Sequence, residues 1–115
     1  MRRTVLALLP LALWAGAVLV IGGLEVDTPP VPRHTDKLAH ILLYGAGGAL
    51  SAWAGRVRGW WFGLAGLAFV LIIGAVDELR QIVLETRHGD VWDWVADAAG
   101  AIVFYLIAVR LLRRK

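Results

Sequence analysis

The sequence predicts an all-α integral membrane protein, one domain over residues 1–115 built as a four-helix bundle, and three observations carry that expectation. Hydrophobic residues make up 59% of the chain and mean hydropathy is +0.68, outside the usual range of a soluble domain. Long runs carry no charge: residues 4–24 and 59–76 have none, and 38–55 is interrupted only by His40. Runs of about 18 to 21 residues, rising about 1.5 Å per residue, cross most of a hydrocarbon layer roughly 30 Å thick. The charges also separate by sign. Eight of the twelve Lys and Arg residues (Arg2, Arg3, Arg56, Arg58, Arg110, Arg113, Arg114 and Lys115) lie at the two termini and one turn, whereas all nine carboxylates fall between Glu25 and Asp97. With four spans, the three basic places share one side, and the excess of positive charge makes that side cytoplasmic. Both termini are then expected inside, with the acidic loops outside.

Helices are expected near residues 4–24, 36–55, 59–85 and 92–111. The first has Pro10 as its one irregular feature and reads as an anchor and packing wall. Arg2 and Arg3 before an apolar stretch, with Ala15-Gly16-Ala17 beyond, also fit a secretory signal. A retained span is the better reading: the run continues to residue 24, and cleavage would put the basic C-terminus opposite Arg56 and Arg58. Residues 25–35 contain Pro29, Pro30 and Pro32 and read as an outer loop.

The second helix opens at Asp36. Asp36, His40 and Tyr44 recur every fourth residue and make one stripe beside Lys37, and Gly45, Gly47 and Gly48 follow as a surface that another helix can approach closely. A short basic turn at Arg56-Val57-Arg58-Gly59, flanked by Trp53, Trp60 and Trp61, makes the second and third helices antiparallel neighbours. The third climbs outward to Gly74, Asp77, Glu78, Gln81 and Glu85, with Arg80 expected to reach toward the outer interface. After Thr86-Arg87-His88-Gly89 the fourth re-enters with Asp90, Asp93 and Asp97 on one face, then Gly100, while Trp92 and Trp94 mark the outer interface.

If these stripes face one another, six carboxylates (Asp36, Asp77, Glu78, Asp90, Asp93, Asp97) meet three cations (Lys37, Arg80, Arg87) near the outer end. Ionisable groups at such depth are expensive to keep and by default mark a site. Crowded carboxylates relieve their repulsion by taking up protons, pairing with cations or binding a metal. His40, Asp77, Glu78 and Asp93 are the acid–base candidates. Asp36, Lys37, Tyr44, Gln81, Arg87, Asp90 and Asp97 are candidate binding residues, with Lys37 and Arg87 suited to an anionic head group. A divalent metal would take His40, Asp93 and Asp97, and the protein would then be a metal-dependent hydrolase or transferase acting on a lipid phosphate. The plainer alternative is a saturated ionic network that pins three helices together. His34 and His88 read as solvated loop residues. The absence of cysteine removes disulfides and thiolate metal sites, and the basic residues at membrane boundaries do not form a nucleic-acid footprint.

The pattern Asp36-Lys37-x-x-His40-x-x-x-Tyr44, then Asp77-Glu78-x-x-Gln81, then Arg87-x-x-Asp90-x-x-Asp93-x-x-x-Asp97-x-x-Gly100, resembles the VanZ-like family of small bacterial membrane proteins. The likeness covers about residues 36–104. Ile41 and Val83 stand where the family commonly has an aromatic, Glu85 where it has proline, Asp97 where it has asparagine and Phe104 where it has glycine. The resemblance implies a small bacterial membrane protein linked to resistance to the glycopeptide teicoplanin. The residues themselves read as a multi-pass protein of the cytoplasmic membrane whose outward-facing pocket binds or modifies a cell-envelope component, with membrane lipids, a lipid-linked or peptidoglycan-related head group, or another protein or copy of the chain as partners. The resemblance does not imply a particular reaction, so enzymatic activity stays open.

Overall fold

The computed structural model describes residues 1–23, 33–84 and 91–113, apart from the side chains of residues 22, 23, 33–36, 81, 82 and 84. The chain forms α1 (Arg2–Gly23), α2 (Arg33–Arg58), α3 (Trp60–Leu84) and α4 (Val91–Arg113). Three of these match the expected helices to within two residues at either end. α2 is longer than expected by three residues at each end, and it takes 33–35 from the expected loop. Pro32 restricts itself and the residue before it, so nothing prevents helix from Arg33 onward. At the other end Arg56 and Arg58 lie in the last turn of α2, where cations suit the helix dipole.

A single residue joins α2 to α3. Gly59 has φ of 109°, a left-handed conformation that side chains resist, and its amide bonds the Gly55 carbonyl at 2.8 Å. The two helices therefore fold straight back on each other. Gly55 faces Gly63, Ser51 faces Gly66 and Tyr44 faces Gly74. α4 runs parallel to α2, with Lys37 opposite Asp93 and His40 opposite Asp97. α1 runs antiparallel to α2 and parallel to α3, so direction alternates along the chain. This up-and-down order brings every helix against α2, most extensively α4.

The α2–α4 contact is close because it is made of small residues. A Cβ on Gly48 would strike the backbone of Ala101, and one on Gly100 would strike the backbone of Ile41. Backbone cannot yield as a side chain can, so both positions require glycine at this separation. The expected glycine surface of α2 in fact serves two neighbours, since Gly47 lies under the Trp14 ring of α1. Another irregularity is resolved by the same helix pair. Pro10 lacks the N–H that would bond the Leu6 carbonyl, and the Trp53 indole of α2 donates to that carbonyl at 3.3 Å.

What is inside and what is outside invert the pattern of a soluble protein. Leu13, Ile72, Leu79 and Val83 are 60–75% exposed, whereas Asp77, Glu78, Asp93 and Asp97 are buried, the last at 2%. α1 over Arg2–Ile21, α3 over Trp60–Arg80 and α4 over Val91–Arg113 are long and apolar enough to cross a membrane. α2 is not among these three. Of its polar stripe, His40 and Tyr44 are covered by the other helices. The long axis of the molecule is 43 Å, close to the roughly 40–45 Å of a bilayer with its head-group regions.

Candidate functional site

The apolar floor of the site is laid by α1. Ala7, Leu11, Trp14, Ala15 and Val18 are buried and cluster with Tyr44, Val70, Ile73 and Ala101 from the other three helices. Trp14 donates its indole N–H to the Leu43 carbonyl of α2 at 2.9 Å and sets its ring edge-on to Tyr44, with centroids 5.4 Å apart. An indole this deep must find an acceptor. It finds one that fixes the stretch of α2 carrying the polar stripe.

Along that stripe, spacing of one helical turn brings Lys37 and His40 toward α4 in succession, with Tyr44 one turn further on against α3. Lys37 Nζ pairs with Asp93 Oδ1 at 3.4 Å, and one turn deeper His40 Nδ1 and Asp97 Oδ1 share a hydrogen bond of 2.6 Å. The Tyr44 ring lies parallel to that of His40, centroids 6.3 Å apart, and is itself only 1% exposed. Gly74 of α3 completes the junction. A Cβ there would lie 3.2 Å from Tyr44 Cε1 and 3.5 Å from Asp97 Oδ2, so the missing side chain lets a phenol and a carboxylate rest against bare helix.

Two atoms at this junction stand out. The Tyr44 hydroxyl and Asp97 Oδ2 are buried with no hydrogen-bond partner among the described residues. Buried polar groups are normally satisfied, and the exceptions call for a physical reason. Asp77 and Asp93 lie near enough to act on the charge of Asp97, and Asp77 and Glu78 to act on Tyr44. Four buried carboxylates from α3 and α4 thus converge on one interior.

Arg80 lies near the end of α3 with its side chain partly exposed. It turns toward α1, where one guanidinium nitrogen bonds the Leu19 carbonyl at 2.8 Å and Asp77 Oδ1 at 3.3 Å. Charge balance explains the inward turn: Asp77 is buried, and the carbonyls near the end of α1 offer negative dipole ends. Trp94 likewise donates to the Leu71 carbonyl of α3 at 3.4 Å, whereas Trp92 remains exposed.

Of the candidate residues, the structure brings together Lys37 with Asp93 and His40 with Asp97, and buries Tyr44, Asp77 and Glu78 beside them. Arg87 and Asp90 lie outside the described residues, as do the side chains of Asp36 and Gln81. The expected metal ligands His40, Asp93 and Asp97 do not form a set. Among the described residues no three His, Asp or Glu groups are arranged to hold a metal ion, and Asp93 is engaged by the Lys37 ammonium. Trp14 and the Leu19 carbonyl escaped the sequence reading. A signal for Trp14 was present, since a tryptophan in mid-span, far from either boundary, has an N–H that lipid cannot satisfy. The arrangement as a whole can hold protons, accept hydrogen bonds from a donor-rich group, or bind helices by paired charges. The chain matches no family model, no curated protein and no solved structure.

Proposed function

We propose that this chain is a VanZ-like, four-span protein of the bacterial cytoplasmic membrane, with both termini cytoplasmic, which binds the polar head group of an envelope component and so alters glycopeptide sensitivity. The observation that carries the reading is the pair of buried polar atoms without hydrogen-bond partners among the described residues, the Tyr44 hydroxyl and Asp97 Oδ2, at the junction of α2, α3 and α4. They stand beside a short His40–Asp97 bond in an interior that holds more carboxylates than cations among the described residues. Such an interior suits a head group that donates hydrogen bonds, through sugar hydroxyls or an ammonium, better than an anionic one. Lys37, the cation on α2 suited to an anion, is engaged by Asp93.

The test pairs two variants with two readouts. Tyr44→Phe and Asp97→Asn should each abolish the change in teicoplanin susceptibility that the parent confers, and should reduce the envelope lipid that copurifies with it. Folding should be retained, because each change removes little volume. Retained susceptibility change with both variants overturns the reading.

A second reading has its own observation. Lys37, Arg80 and His40 each meet a carboxylate, as a network that only pins helices would require. That structural module would act through a partner protein. It predicts that Asp97→Asn lowers stability while both variants leave susceptibility unchanged.

A further inference from the structure

The other end of the bundle holds a concave site of opposite charge. Where α2 ends, α3 begins and α4 finishes, a cavity of about 240 Å³ is lined by Gly55, Arg56, Trp60, Tyr105 and Arg113. It shares Trp60, Tyr105, Val109 and Arg113 with a wider groove of about 830 Å³, which adds Arg110 and runs along Leu64 and Leu106. The cavity is basic and the groove it opens into is apolar.

These arginines have no Asp or Glu close by in sequence. Residues 37–76 contain no Asp or Glu, and neither does the chain beyond Asp97. Guanidinium groups offer planar pairs of donors that match phosphate oxygens. Trp60, stacked on Trp61 with centroids 4.1 Å apart and exposed, belongs to the aromatic belt that sits at head-group depth. Tyr105 is buried between the two compartments, its hydroxyl near Gly63 of α3. Leu64 and Leu106 are exposed on the face that continues from the cavity toward mid-bundle.

From this juxtaposition we infer that the basic end binds an anionic phospholipid, its phosphate held by Arg56, Arg110 and Arg113 and one acyl chain laid along Leu64 and Leu106. The site is separate from the acidic junction and shares with the proposed function only placement in a bilayer. A soluble phosphate ester would bring the same charge without the tail, so the test must tell the two apart.

Full-length protein in mild detergent is titrated, with native mass spectrometry as the readout, against phosphatidylglycerol, phosphatidylcholine of the same chain length, and glycerol 3-phosphate. Phosphatidylglycerol should bind at least about tenfold more tightly than phosphatidylcholine, since a basic residue near a lipid surface contributes about a fivefold effect. The Arg56→Gln/Arg113→Gln variant should lose about 25-fold on the same basis. Arg2→Gln/Arg3→Gln, equally basic and at the same end of the bundle but off the cavity, should change by less than about twofold. Equal binding of the two lipids, or an equal loss in the Arg2/Arg3 variant, overturns the site. Glycerol 3-phosphate binding as well as phosphatidylglycerol overturns the role of the groove.

Discussion

The two ends of this bundle solve the problem of charge in opposite ways. Where α2 and α4 begin, the carboxylates Asp77, Glu78, Asp93 and Asp97 are buried, and Lys37, His40 and Arg80 reach in to meet them. Where those helices end, Arg56, Arg110 and Arg113 stand exposed around a cavity, with no carboxylate in the adjoining sequence. The difference lies in the cost of losing a partner. Buried charges depend on each other, so the acidic end should be sensitive to any single removal, whereas the basic end should lose binding but not stability.

The sharpest break of that comparison is His40→Ala. It leaves Asp97 buried without its hydrogen-bonded imidazole and should destabilise the protein by about 3–5 kcal/mol, measured by denaturant unfolding in detergent. Adding Asp97→Asn should recover much of the loss, because the uncompensated charge goes with it. Next in size is Gly48→Ala, whose methyl group meets the Ala101 backbone and should cost about 1–3 kcal/mol. Gly16→Ala serves as its control: a Cβ there meets nothing within 4 Å, so thermal midpoints should stay put or rise slightly. Tyr44→Phe removes a buried hydroxyl that has no partner among the described residues and should be neutral or stabilising by up to about 1 kcal/mol. The smallest effect is expected at the basic end, where Arg56→Gln and Arg113→Gln should each shift stability by less than about 0.5 kcal/mol. A large loss there would mean that the arginines are structural and the two ends alike.

How much of this could be read in advance depends on the kind of information each residue carries. Uncharged runs locate helices well, because the length of α1 and α3 follows from apolar residues that have nowhere else to go. The three extra residues at each end of α2 were missed because polar residues such as Arg33 and Arg58 do not announce whether the backbone beneath them is helical. Periodicity placed Asp36, His40 and Tyr44 on one face, yet it names a face and not a partner. That Lys37 takes Asp93 while His40 takes Asp97 follows from the parallel register of α2 and α4, which Gly48 and Gly100 set by close approach. The inward turn of Arg80 depends on a carbonyl of α1, and backbone acceptors leave no trace in composition.

The one-residue turn at Gly59 also bears on how the chain could enter a bilayer. α2 carries Lys37 and His40 and is not among the three helices long and apolar enough to cross a membrane. Tethered by a single glycine to α3, it has no length of chain in which to wait outside. A hairpin entering as one unit would set the most polar helix beside its most apolar neighbour, and in that case lengthening the tether should impair biogenesis before it harms the finished protein.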